Sequence, residues 1–128
     1  MPKLPEYDHG QELPKLQGHA IGVVDSDLAC TRLTSALAAG GFSTSKQLVF
    51  QGEDGINLIN RMMEGSTWGE SSEHFLMQCS IELNQGHSVV SVKVDDENEA
   101  AAVAAIASQF GAHSVYHFGL LTDTQLTK

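Results

Sequence analysis

The chain has 128 residues, with 7 basic against 16 acidic side chains and a formal net charge of −9. This length suits one domain that buries about 65% of its unfolded surface, so neither disulfides nor a metal is required for folding. The acidity and the scattered basic residues argue against partners with phosphate backbones or anionic membranes.

Residues 1–18 carry Pro2, Pro5 and Pro14 and read as a mobile tail. They contain no apolar leader core, and no run in the chain reaches the roughly 20 apolar residues of a membrane span. Cys30 and Cys79 form no CxxC pair and fall in helical segments, which suggests buried thiols in a reducing compartment. The expectation is a cytoplasmic bacterial protein.

The domain is expected over residues 19–120. HAIGVVD (19–25) predicts a strand, and Asp25 or Ser26 can cap the helix after it. Cys30, Leu33 and Leu37 recur at helical spacing until Gly40-Gly41 stops the helix. KQLVFQ (46–51) predicts a second strand. The segment 53–85 reads as a helical insertion: Ile56, Ile59, Met62 and Met63 mark a short helix, and Phe75, Leu76, Cys79 and Leu83 a longer one. Thr67 and Glu70 have capping-box spacing. Trp68, Met62, Met63, Phe75 and Met77 read as a satellite core. HSVVSVKVD (87–95) is the clearest strand, with Val90, Val92 and Val94 alternating. DDENE opens a helix with its buried stripe on Val103, Ile106, Ala107 and Phe110, and HSVYHF predicts the last strand. Residues 121–128 read as a tail.

Residues 22–50 laid over 92–120, an offset of 70, repeat strand–Asp–helix–Gly–strand. Two such halves predict an α+β ferredoxin-like sandwich with a four-stranded antiparallel sheet, order 4-1-3-2, and the insertion between strands two and three. The offset places Ala20, Gly22, Val24, Leu48, Phe50, Val90, Val92, Val94, Tyr116 and Phe118 against the helices. The opposite face gathers His19, Ile21, Val23, Val49, Val89, Ser91, Lys93, His113, Val115 and His117. Its valines and isoleucine call for a cover: a second subunit, the insertion, or a ligand.

Histidines four apart in a strand lie about 13 Å apart, too far to share one zinc with bonds near 2 Å. His113 and His117 are therefore not one site. Strand direction brings His117 towards His19, the best two-ligand pair, with His9 or a symmetry mate as a further donor. His87 and His113 fall at the opposite end of the sheet. Asp25 and Asp95 read as helix caps, GGFSTS (40–45) as a helix stop, and SSEH (71–74) as local capping. No Walker A, GxGxxG or GxSxG pattern is present.

The strand ending in Asp, the helix closed by Gly41-Phe42, GHSVVSVKVDDENEA and GAHSVYHFG together resemble the bacterial general-stress-protein domain over about residues 19–125. The resemblance implies a small α+β domain and no established chemistry or catalytic residue. The expectation is a stress-associated, non-catalytic binding or regulatory domain that dimerises through Ile21, Val23, Val89 and Val115, without cofactor. The alternative is a dimeric α/β barrel, an enzyme or a binding protein, that holds haem, a small molecule or a metal on His19, His117, His113 and His87. A pH-sensing role for the histidines is a third idea.

Overall fold

The computed structural model describes residues 18–64, 70–118 and 123–125. In chain order it runs β1 (His19–Val24), α1 (Asp27–Ala39), a short 3-10 turn, β2 (Gln47–Phe50), α2 (Gly52–Glu64), α3 (Glu70–Asn84), β3 (Ser88–Lys93), α4 (Glu97–Gln109), β4 (His113–Phe118) and β5 (Asp123–Gln125). The strands form one antiparallel sheet in the order β2-β3-β1-β4-β5. The short strand β5 lies where the sequence suggested only tail. Thr67, Trp68 and residues 1–17, His9 among them, lie outside the described residues.

Side-chain caps set the starts of α1 and α4. The hydroxyl of Ser26 accepts from the Ala29 amide at 3.1 Å and caps α1, and Asp96 caps α4 by accepting from the Glu99 amide at 2.8 Å. The caps are thus Ser26 and Asp96, one residue beyond Asp25 and Asp95. Asp25 is thereby left outside the helix, with its carboxylate available for other partners.

The sheet is covered on both sides. On one face, α1 and α4 bury Cys30, Leu33, Leu37, Val103 and Ala107 against Ala20, Val24, Val49, Val90, Val92 and Val115. On the other, α2 and α3 bury Leu58, Ile59, Met62, Phe75, Leu76, Cys79 and Leu83 against Ile21, Val23, Phe50 and Val89. The insertion is therefore the cover. Ile21, Val23 and Val89, expected at a dimer interface, are at most 3% exposed beneath α2 and α3, and Val115, at 1%, belongs to the α1–α4 core. The same layer fills the face on which haem or an aromatic ligand was expected. Met62 and Phe75 join this second core as anticipated, but Met77 is 55% exposed.

The face assignment from the repeat holds for β1, for β3 and for His113, and fails for β2 and for Val115, Tyr116 and His117 in β4. Val49 pairs with Val90, so it faces α1 and α4, while Leu48 and Phe50 face α2 and α3. Tyr116 likewise packs on Phe75, with ring centroids 4.9 Å apart. The reason is physical: strands buried on both faces are apolar at every position, so alternation no longer tells one face from the other.

A candidate metal centre at one end of the sheet

Two helix ends and one strand end meet at a single point. Helix α3 stops at Gly86, whose φ of 86° is a left-handed conformation open to glycine at little cost. The Gly86 amide donates to the Leu83 carbonyl at 3.1 Å and the His87 amide to the Glu82 carbonyl at 3.0 Å. This double bond pattern is a Schellman stop. It folds His87 back beside Glu82, so a spacing of five residues becomes side-chain contact. Helix α4 stops in the same way at Gly111, with the Ala112 amide donating to Ala107 at 3.1 Å, and delivers His113 to the same end of the sheet.

A β-bulge then aims His113. Tyr116 pairs with Ile21 and His113 with Val23, so Gly22 alone stands opposite both Ser114 and Val115. In a regular ladder His113 would oppose Val24 and point into the α1–α4 core. The extra residue turns it to the face of Val23, under α3. Gly22 tolerates the crowding: a Cβ there would meet the Val115 side chain at 3.0 Å.

The result is a cluster of Asp25, Glu82, His87 and His113, whose four donor atoms lie within 4.8 Å of one another. His87 Nδ1 lies 2.5 Å from Glu82 Oε2 and 3.6 Å from Asp25 Oδ1. His113 Nε2 lies 2.8 Å from Asp25 Oδ1 and 3.9 Å from Glu82 Oε2. Donors in a tetrahedral site with bonds of about 2.0–2.1 Å sit roughly 3.4 Å apart, and the observed spacings bracket that value. The Gln78 amide donates to Glu82 Oε1 at 3.2 Å, which leaves Oε2 to the cluster. Such outer partners orient ligands and tune their affinity.

Charge and burial fit a dication. Glu82 is 11% exposed at its side chain, and among the described residues its charge is met by imidazole and amide groups rather than by lysine or arginine. Two carboxylates neutralise one divalent ion. The C-terminal ends of α3 and α4, the negative ends of their dipoles, both lead into the cluster. Asp25, at 63% side-chain exposure, forms the solvent side.

Of the histidines singled out in the sequence, His87 and His113 join this cluster, and His19 and His117 do not. His19 pairs with Phe118 and His117 with Ala20, neighbouring register positions. Alternation then puts His19 on the face of Ile21 and His117 on the face of Ala20, so the sheet separates the expected pair. His113 and His117 are also split between faces by the bulge. Glu82 was not recognised in the sequence, and Asp25 was assigned to capping. The Glu82–Gly86–His87 spacing was the available signal.

Burial raises the Cys30 thiol above its ordinary value, and raises Cys79, with help from the Glu82 charge, to about 12. Neither thiol is a donor to the cluster. A gap of about 10 Å³ lined by Leu33, Val92, Val103 and Val115 has no room for an organic ligand, a class that needs roughly 300–1,000 Å³. No helix among the described residues is long and apolar enough to cross a membrane. No family model, curated protein or solved structure matches the chain.

Proposed function

We propose that this chain is a ferredoxin-like domain that binds one divalent transition-metal ion at Asp25, Glu82, His87 and His113, in a non-catalytic, regulatory role. The observation that carries this reading is the convergence of two imidazole and two carboxylate donors within 4.8 Å. Paired imidazoles favour zinc, cobalt, nickel or copper over calcium and magnesium, which take all-oxygen sites. Four protein donors fill a tetrahedral shell, the pattern of closed sites rather than of catalytic ones that keep a position for water. The ferredoxin-like assignment is supported by the strand order and by the two strand–helix–strand halves. The general-stress-protein resemblance is a proposal of descent that rests on the same halves.

Calorimetric titration of metal-stripped protein with zinc tests the reading. One ion per chain, with binding weakened by at least about 100-fold in His87→Ala, is expected, since even outer-shell substitutions cost 10–100-fold. Heat that fails to saturate, or saturation untouched by His87→Ala, would refute it.

A further inference from the structure

We infer that the metal acts as a latch between the α2–α3 layer and the sheet. This rests on the metal reading above. Three of the four donors belong to the sheet end: Asp25 follows β1, His87 leads into β3, and His113 opens β4. Glu82 alone comes from the covering layer, in the last turn of α3. The rest of the described contact between that layer and the sheet is chiefly apolar, through Leu58, Ile59, Met62, Phe75, Leu76, Cys79 and Leu83. Apolar contact is non-directional and allows a layer to shift. A coordinate bond fixes Glu82 at one point.

The layer is one continuous stretch between β2 and β3, so its movement leaves the sheet ladder intact. Beneath it lie Ile21, Val23, Val89 and Tyr116. Holding or releasing Glu82 therefore sets how readily this apolar face is uncovered. The ligand class is a transition-metal dication, and the response is the docking of the chain's own helices.

Amide hydrogen exchange, run beside calorimetry on the full chain with zinc and with chelator, tests this. Opening that breaks the Glu82 bond is suppressed by up to about 100-fold when zinc stands at 100 times its dissociation constant. Slower exchange is expected across α2 and α3 in wild-type protein. In Glu82→Gln the three sheet-end donors still bind zinc, more weakly. Zinc then slows exchange near His87 and His113 but not in α3. Zinc binding to wild-type protein with exchange in α2 and α3 unchanged would overturn the latch while leaving the metal site standing. Equal slowing of α3 in Glu82→Gln would also overturn it. Absence of zinc uptake by the wild type would overturn the metal reading, and the latch with it.

Discussion

At the scale of single residues, four histidines that look alike in the sequence have different roles. His113→Ala removes a donor and should weaken zinc binding by at least about 100-fold, more than an outer-shell loss. His19→Ala should leave zinc affinity unchanged, and so should His117→Ala, although the latter removes a side chain that is 8% exposed and should cost about 1 kcal/mol of stability. Calorimetry and urea melts on the three variants check this ranking. Gln78→Ala should weaken binding by about 10-fold by freeing the second oxygen of Glu82. The thiols give an independent test of burial. Cys30 and Cys79 are at most 1% exposed and Cys79 is pushed up to about 12, so neither should react with a thiol reagent at pH 8 until urea is added. The folded chain holds the Cys79 proton more tightly than the unfolded chain. This contribution to stability is complete below the ordinary thiol value and is lost as pH rises through the folded one. Fast labelling of native protein would contradict the core described here.

At the scale of elements, the site is made by helix stops and one bulge. Three of its four members, Asp25, His87 and His113, stand out in the sequence as strand-end or histidine residues, and His87 and His113 were correctly assigned to one end of the sheet. What could not be read was direction. The repeat sets all of His113, Val115 and His117 on the face of Val23, but an extra residue opposite Gly22 leaves only His113 there, and nothing in GAHSVYHFG announces a bulge, because pairing register is a property of two strands at once. Glu82 was hidden for a different reason: a glutamate in a helix is ordinarily a solvated residue, and only the turn at Gly86 brings it against His87. Gly22→Ala should therefore act at a distance from the ligands. Its Cβ would press on Val115 at 3.0 Å, costing about 1–2 kcal/mol as overpacking and weakening metal binding by disturbing the bulge. A thermal melt and a zinc titration of that variant report both effects. Retained stability with unchanged affinity would show that the bulge does not depend on a small residue there.

At the scale of the whole molecule, the repeat at an offset of 70 reads as an α+β domain with an antiparallel sheet, and the structure is of that class, with a short further strand and two further helices. The insertion was visible as well, but its destination was not. A face rich in Ile21, Val23 and Val89 says only that something covers it, and a second subunit, a ligand and the insertion all satisfy that demand equally. The structure places the chain's own α2 and α3 there. The two halves are not equivalent in chemistry. The repeat sets Asp25 against Asp95 and Ser43 against His113, so the end of the sheet that carries Asp95 lacks the corresponding histidine. Asp25, His87 and His113 meet at one end, closed by Glu82 from the insertion, and this distinguishes the domain from a plain two-layer sandwich.

The most direct test is a cobalt titration of the metal-stripped protein followed by visible absorption. Two imidazoles and two carboxylates around one ion should give saturable, intense bands of four-coordinate cobalt at one equivalent per 13.7 kDa chain, abolished in the His87→Ala, His113→Ala double variant. Weak, unsaturable absorption, or bands that persist in that double variant, would contradict the assignment of the site.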